Sequence, residues 1–197
     1  MRIRYWMILS VPPAVMLLHQ TATAQQDNLL PYVSCHGGSK FAVEEADFST
    51  KRFVRSVKTS QGSKEIVVLH GVSLHIAYAR TPFVNFKAEQ LEGYALAKQR
   101  LIDNLSVLAK GTRDIESTTP QENLLDGFDI YSIERTKLSG GVQSVYLLFR
   151  DADETVVTLY ILNTPREAPQ FSTLEQYFAL TGEFVAAYTS CVAENLK

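Results

Sequence analysis

Hydrophobic residues recur along this chain at two spacings, and each spacing is typical of one kind of secondary structure. Alternation of apolar and polar positions is typical of a half-buried strand, whereas spacing by three and four is typical of one helix face. Helical spacing predicts a helix over residues 86–110 and a second from Ser172 to about residue 193. Alternation and short apolar runs predict strands at 51–59, 65–79, 128–133, 142–149 and 155–162.

The predicted strands differ in the position that each is expected to take in a sheet. Strand 51–59 carries several charges, which favours an edge, and a bulge or bend is expected at Gly71 within strand 65–79. The last three strands are separated by short turn sequences, so an antiparallel meander is predicted. Strands 142–149 and 155–162 are apolar on both faces, and we expect them in the middle of a covered sheet.

The two predicted helices carry sequence signals at their ends. Asn85 is the predicted N-cap of the first helix, and Gly111 follows its last turn, where a left-handed cap residue is common. The run Ser172–Glu175 matches a capping box, and the helix that follows has a wide aromatic stripe that should lie on the sheet. The segment 113–126 indicates a short strand near Ile115 and then a loop.

This order of elements predicts the architecture. Strands, a long helix, a three-stranded meander and a closing helix favour a single α+β domain over residues 51–197. The expected arrangement is an antiparallel sheet covered by two amphipathic helices, an α/β/α-type sandwich. Residues 25–50 have few periodic apolar positions, and they are predicted to form an extended N-terminal arm.

The first 24 residues have the pattern of a secretory signal peptide. Arg2 and Arg4 precede a mostly apolar run over residues 5–18, and Ala22–Thr23–Ala24 places small residues before a cleavage site. A membrane span needs about 20 apolar residues, whereas this run is shorter and is interrupted by Pro12–Pro13. We therefore expect cleavage after Ala24, a periplasmic or secreted location, and no transmembrane span in the mature chain.

The overall charge and the two cysteines narrow the partners and the compartment. The 197 residues carry a formal charge of −2. This charge argues against a nucleic-acid partner, which a basic surface would be expected to bind. Cys35 and Cys191 are the only cysteines, and two thiols in an exported chain usually pair. A bridge across such a long loop would stabilise the fold by roughly 5 kcal/mol at most. The alternative is that one of them is a reactive or metal-binding thiol.

The segment between strand 65–79 and the first predicted helix is the candidate binding site. It runs from Arg80 to Lys87 and would lead into a helix N-terminus, where an anion or carboxylate is favoured. Arg80 and Lys87 would supply charge, Phe83 and Phe86 would supply apolar contact, and Asn85 would cap the helix. In the alternative interpretation, Phe83 and Phe86 pack inward as the hydrophobic staple of the helix.

Neither of two apparent metal-binding patterns has the required spacing. His70 and His75 are five residues apart and would lie on opposite faces of an unbroken strand, although a bulge would bring them to one face. Asp151, Asp153 and Glu154 resemble the start of a calcium loop, but the glycine of its sixth position is missing. We predict no metal site and no cofactor.

Basic residues are concentrated around the first predicted hairpin. They can meet an acidic protein partner, or they can protect an exposed edge strand from unwanted pairing, which is the more ordinary role. These residues are Lys51, Arg52, Arg55, Lys58 and Lys64.

The order of elements over residues 51–193 resembles the superfamily that includes the photosystem II extrinsic subunit PsbP and the periplasmic protein DcrB. The resemblance is one of element order, with no signature motif. It implies an antiparallel sheet with helices on both faces. It also implies a non-catalytic accessory or binding role.

These observations together favour a non-catalytic exported protein that binds another protein of the cell envelope, as an accessory or immunity-type factor. The sequence has no nucleophile elbow, phosphate-binding loop, dinucleotide fingerprint or zinc-protease helix. One alternative is a small-molecule or lipid-binding module, and another is a hydrolase whose site is assembled from distant residues. In the lipid-binding alternative, the cavity would be lined by Tyr94, Tyr177, Phe178 and Tyr188.

Overall fold

The structure is a computed structural model that describes residues 28–163 and 170–197. The predicted signal peptide and its cleavage site lie outside these residues, and so does most of the predicted loop 164–171. Within the described part the chain forms three helices and eight strands. The helices are α1 (Leu30–Ser34), α2 (Tyr94–Gly111) and α3 (Leu174–Asn195). The strands are β1 (Phe41–Ser49), β2 (Phe53–Thr59), β3 (Gly62–Tyr78), β4 (Thr81–Leu91), β5 (Gln121–Leu125), β6 (Phe128–Glu134), β7 (Gly141–Arg150) and β8 (Thr155–Asn163).

All the strands belong to one antiparallel sheet. Its order is β1-β3-β4-β8-β7-β6-β5, and β2 pairs with β3 beside β1. β7 and β8 therefore lie in the interior of the sheet, as their two apolar faces predict. β6, β7 and β8 form the predicted meander. β2 lies at an edge, as its charges predict.

Alternate residues of the central strands enter two separate hydrophobic clusters. In β7, Leu148 belongs to one cluster, whereas Leu147 and Phe149 belong to the other. The first cluster includes the buried residues of α1 and α3, and we call it the α3-side cluster. The second includes the buried residues of α2, and we call it the α2-side cluster. The two long helices thus contribute to cores on opposite faces of the sheet.

The predicted helix over 86–110 is wrong in its first part. Residues 81–91 form β4, which pairs with β3 on one side and β8 on the other, and α2 begins only at Tyr94. Asn85 is therefore not an N-cap; that position is held by Gly93 in a left-handed conformation. Phe86 and Ala88 alternate as buried strand positions, and a period of two can be mistaken for helical spacing over so few residues.

The predicted N-terminal arm is also different in the structure. Its described part contains α1 and then β1, which is an edge strand of the sheet. Phe41 anchors β1, because its ring lies 5.5 Å from Phe83 and 4.9 Å from Phe184. The positions that follow Phe41 are almost all exposed. Exposure on both faces leaves no alternation in the sequence, which explains why the strand is not predicted.

The end of the chain matches its prediction closely. α3 begins after Thr173, whose hydroxyl accepts a hydrogen bond from the Gln176 amide at 3.2 Å, one residue later than the predicted cap at Ser172. The predicted disulfide between Cys35 and Cys191 is confirmed, with Cα atoms 5.8 Å apart. It joins the end of α1 to α3.

The fold prediction is therefore confirmed in its coarse form only. The chain is a single domain built on an antiparallel sheet, with helices on its faces. The sheet is larger than predicted, because β1, β4 and β5 are not predicted as strands, and a third helix, α1, is present.

Candidate functional site

The structure does not place the predicted binding residues at a helix N-terminus. Arg80 lies in the exposed turn between β3 and β4, at a positive φ of 66°. Phe83 and Phe86 are buried in the α3-side cluster, and Lys87 lies opposite Ser73 within the sheet. The physical basis for an anion site at this segment is therefore lost. The two phenylalanines do pack inward, but as strand residues and not as a helix staple.

His70 and His75 do not converge, so the alternative in which a bulge brings them to one face is wrong. A register shift lies between Val68 and His70, immediately before Gly71, so the expected irregularity of this strand is present. Because the shift precedes His70, it leaves His70 and His75 on opposite faces of β3. His75 Nδ1 lies 2.9 Å from Asn85 Oδ1. Among the described residues, no group of three or more histidine, cysteine or acidic side chains is placed to hold a metal ion.

The acidic turn between β7 and β8 connects the sheet to the helices on both faces. Asp151 accepts hydrogen bonds from the Tyr94 hydroxyl at 2.8 Å and from Lys98 Nζ at 2.7 Å, both from α2. Asp153 accepts one from the Tyr32 hydroxyl of α1 at 2.6 Å. The hydrogen bonds from Lys98 and Tyr94 lower the pKa of Asp151, although its partial burial opposes them. These acids act as structural links.

The four aromatic residues named for the lipid-binding alternative do not line one space. Tyr177 and Tyr188 are fully buried in the α3-side cluster, whereas Tyr94 packs in the α2-side cluster. Phe178 is partly buried and borders a hollow at the start of α3. These residues thus belong to both cores, and only one of them reaches a candidate site.

A groove between α2 and the sheet is the candidate functional site. It consists of three adjoining hollows of about 260, 200 and 250 Å³. Leu108, Val145 and Tyr160 border both the first and the second hollow. Ile115, Ile133 and Arg135 border both the second and the third. We call this continuous surface the α2 groove.

The middle of the α2 groove is apolar and open to solvent. Two of its side chains, Leu108 and Val142, are 41% and 38% exposed. Exposed apolar side chains are ordinary when scattered singly, but a group of them lining a depression is typical of a binding surface. The described structure leaves these side chains uncovered.

In the described structure, Arg135 is the one charged residue that lines the second hollow, whereas Arg55 and Lys58 line the first hollow and Glu116 and Glu134 line the third. The Arg135 guanidinium has no ion-pair partner among the described residues, although its backbone is held firmly. The Arg135 amide donates to the Gln143 carbonyl at 3.1 Å, and Gln143 Nε2 donates to the Arg135 carbonyl at 3.2 Å. Ile115 forms a β-bridge with Arg135, and the Thr136 amide donates to the Asp114 carbonyl at 2.7 Å. The backbone from which this side chain extends is therefore fixed between the second and third hollows.

The sequence alone does not reveal this groove. Its residues come from β2, α2, the segment after α2, strands β5 to β8, and the start of α3. No short motif joins them, and Leu108 is read from the sequence as an ordinary member of the apolar helix face. The only signal is that Val142 is an apolar residue next to a turn, which is too common to identify a site.

Comparisons of this chain with protein-family models, with curated proteins and with solved structures find no match. Among the described residues, no helix combines the length and the apolar character that crossing a bilayer requires.

Proposed function

We propose that this chain is an exported, non-catalytic protein of the cell envelope that binds another protein through the α2 groove. The observation that carries this proposal is the open apolar surface around Leu108 and Val142, with the unpaired charge of Arg135 beside it. Export rests on the signal-peptide pattern of residues 1–24 and agrees with the disulfide, since disulfides persist in oxidising compartments.

The chemistry of the groove indicates the kind of segment that would bind. Apolar side chains along its floor favour apolar side chains of a partner, because their burial is the main favourable term in association. The Arg135 guanidinium favours a carboxylate, which it can bind in a bidentate manner. We therefore infer an extended or helical peptide segment that combines apolar residues with an aspartate, a glutamate or a terminal carboxylate.

The shape of the groove favours a protein over a small molecule. The volume of the groove is divided among three open hollows of about 200–260 Å³ each, whereas a typical small-molecule site is one pocket of roughly 300–1,000 Å³ that encloses most of its ligand. The hollows are open to solvent and are arranged in a row. An alkyl chain gains most from enclosure on all sides, whereas a peptide can lie along a row of shallow depressions.

The perturbed polar groups of the fold support a non-catalytic role. Burial raises the pKa of Glu89, and this carboxylate is paired with Arg55 at 2.7 Å. Burial and the neighbouring Glu134 raise the pKa of Tyr146, whose hydroxyl donates to that carboxylate. Shifted groups of an active site would need an open face toward a substrate, whereas these are engaged with one another.

The architecture and the location belong to the same proposal. With α2 on one face and α3 on the other, we regard the domain as an α/β/α-type sandwich in the periplasm or the secreted fraction, cleaved after Ala24. This arrangement is compatible with the PsbP and DcrB superfamily, whose element order the sequence resembles and whose members are mostly accessory or binding proteins.

Site-specific photo-cross-linking in the producing cell tests the proposal. A photoreactive amino acid at position 142 should yield one discrete cross-linked protein, because this position lies inside the α2 groove. The matched control is position 124 on β5, since Leu124 is also apolar and even more exposed but lies outside the groove. Equal cross-linking at the two positions would contradict the proposal.

A charge reversal then tests the role of Arg135. Arg135→Glu should weaken binding of the captured partner about tenfold or more, because it places like charges together. Arg113→Glu is the control, since Arg113 is exposed and does not line the groove. Native mass spectrometry of the protein purified from its own compartment tests the small-molecule or lipid-binding alternative. A small amphiphile that stays bound, with no bound protein, would contradict the proposal of protein binding.

A further inference from the structure

β1 and β2 form one long edge of the sheet. Both strands pair with β3: β2 pairs with the first half of β3, and β1 pairs with the second half of β3. Ser49, the last residue of β1, pairs with Gly71, and Phe53, the first residue of β2, pairs with Val68. Three residues lie between Ser49 and Phe53, whereas two lie between their partners on β3. The one extra residue forms a bulge, and this bulge is all that separates the two strands. No other described strand pairs with their outer side. We call residues 41–59 the β1–β2 edge.

The charge of the β1–β2 edge changes sign halfway along. Glu44, Glu45 and Asp47 are exposed on β1, and none of them has an ion-pair partner among the described residues. The other half is basic. It contains Lys51 and Lys58, which have no ion-pair partner in the described part of the chain. It also contains Arg52 and Arg55, which bind Glu92 and Glu89.

Exposed apolar side chains lie between the two charged halves. Phe48 and Phe53 are 38% and 39% exposed, and they lie on either side of the bulge near the middle of the edge. Val54 is exposed beside them. An interface commonly has an apolar centre and a polar rim, and this edge has that arrangement along its length.

We propose that the β1–β2 edge binds the same edge of a second copy of this chain, antiparallel and related by a two-fold axis near residues 50–52. Such pairing makes each interface patch its own partner. A two-fold axis near the middle places the acidic half of each copy opposite the basic half of the other. With the axis at residue 51, Phe48 of each copy lies opposite Val54 of the other on the α3 side of the sheet.

The faces of the sheet agree with this pairing. Glu45 and Asp47 pair with His75 and Ser73 of β3, and these positions lie on the α2 side of the sheet. Arg55 lies on the same side, where it binds Glu89. A two-fold axis perpendicular to the sheet keeps each face on its own side, so the acids of one copy approach the arginine of the other on a common face.

The sign change distinguishes this interface from ordinary edge protection. Charges of one sign along an edge repel any second copy and prevent aggregation. Here, a parallel in-register neighbour would meet like charges along its whole length, whereas the antiparallel two-fold neighbour meets opposite charges. The pattern therefore favours the antiparallel pairing over the parallel one, and this pairing gives a closed dimer in which both β1–β2 edges are covered.

Complementary charge reversal tests the proposal on the mature chain. An acid-reversed variant carries Glu44→Lys, Glu45→Lys and Asp47→Lys. A base-reversed variant carries Lys58→Glu; Lys51 is left unchanged because it lies near the two-fold axis, opposite its own copy. Each variant alone should dimerise about 100-fold more weakly than the unsubstituted chain at low salt, because like charges then face each other. Mixed together, the two variants should associate as a heterodimer, which sedimentation with one labelled partner measures.

The controls make each outcome decisive. Lys110→Glu, at an exposed lysine near the end of α2, should leave dimerisation unchanged. A monomeric unsubstituted chain at the highest attainable concentration would overturn the proposal. Reversed variants that each dimerise as well as the unsubstituted chain would also overturn it, because the interface would then lie elsewhere.

Hydrogen exchange of the unsubstituted chain provides a test that needs no variant to fold. Amides of residues 41–59 should become more protected as the protein concentration rises. The opposite edge, β5, is the internal control, and its protection should not change. Protection that does not depend on concentration at residues 41–59 would refute the two-fold pairing. Residues 55–58 also line the first hollow of the α2 groove, but the protein is alone in this measurement, so the result does not depend on the partner proposed for the groove.

Discussion

At Gly37 the chain passes directly against the ring of Phe184. Gly37 has a φ of +82°, and a Cβ atom added there would overlap the ring of Phe184. Phe184 is fully buried in the α3-side cluster and lies against Phe41, so it has no free space into which to move. Glycine is therefore required by the backbone conformation and by the packing at the same time.

The two requirements can be separated by a matched pair of substitutions. Gly37→Ala should lower the free energy of unfolding by about 3 kcal/mol, because it adds overpacking to the cost of a positive φ. Gly62→Ala is the control, since Gly62 has a φ of +94° but has no atom near an added Cβ. Its cost should be about 1 kcal/mol. Urea denaturation measures both, and equal costs would contradict the role of Phe184.

Glu89 is a buried carboxylate on β4 whose partner is Arg55 of β2. Its side chain is only 6% exposed, and the Arg55 Nη2 to Glu89 Oε2 distance is 2.7 Å. Burial raises the pKa of Glu89, and the charges of Arg55 and Lys87 only partly oppose it. Because the folded protein holds this proton more tightly than the unfolded chain, ionisation of Glu89 costs folding free energy.

The raised pKa of Glu89 makes the stability of the protein depend on pH. As pH rises above about 4.5, the unfolded chain loses this proton first, so the stability contribution of Glu89 falls until the raised pKa is passed. Glu89→Gln cannot ionise, so its stability relative to the unsubstituted protein should increase over this interval. Glu65→Gln, at an exposed carboxylate of β3, supplies the baseline. A relative stability that decreases with pH in urea denaturation would refute the assignment.

The sequence correctly predicts those secondary-structure elements whose burial follows a simple pattern along the chain. β7 and β8 are buried on both faces, and α3 has a continuous buried stripe, so each has a simple pattern of apolar residues. β4 contributes buried residues to both clusters, so its pattern of exposure is mixed. Its apolar residues also continue without a break into α2. Local spacing cannot separate such a strand from the helix that follows.

β1 and the α2 groove escape prediction for a related reason. β1 is a strand because β3 supplies its hydrogen bonds, and its own side chains are nearly all exposed. The groove exists because α2 leaves part of the sheet beside β6, β7 and β8 uncovered. Both features depend on where distant segments meet, and no window of the sequence contains that information. The disulfide is the exception, since only one pairing of two cysteines is possible.

For the molecule as a whole, the central strands decide how the two cores behave together. Leu148 of β7 packs in the α3-side cluster, whereas its neighbours Leu147 and Phe149 pack in the α2-side cluster. The β7–β8 turn is tied to α1 through Asp153 and to α2 through Asp151. Neither core can open widely without disturbing strands that the other core needs, which favours a single cooperative unfolding transition.

Paired substitutions test whether the cores unfold as one unit. Leu105→Ala on the α2 side and Leu180→Ala on the α3 side should each lower the free energy of unfolding by about 3 kcal/mol. The double variant should show the sum within about 0.5 kcal/mol, since the two sites share no partner. Leu124→Ala, at an exposed position of β5, is the control and should change little.

A single cooperative transition should have the same midpoint and shape by every spectroscopic probe. Far-ultraviolet circular dichroism follows the sheet and helices, and near-ultraviolet dichroism follows the packed tyrosines of both clusters. The two signals should remain superimposable in every variant, because the shared strands couple the cores. If Leu105→Ala gives a separate early transition while the α3-side cluster stays folded, the α2 side is an independent unit. The groove would then lie on a surface that can open by itself.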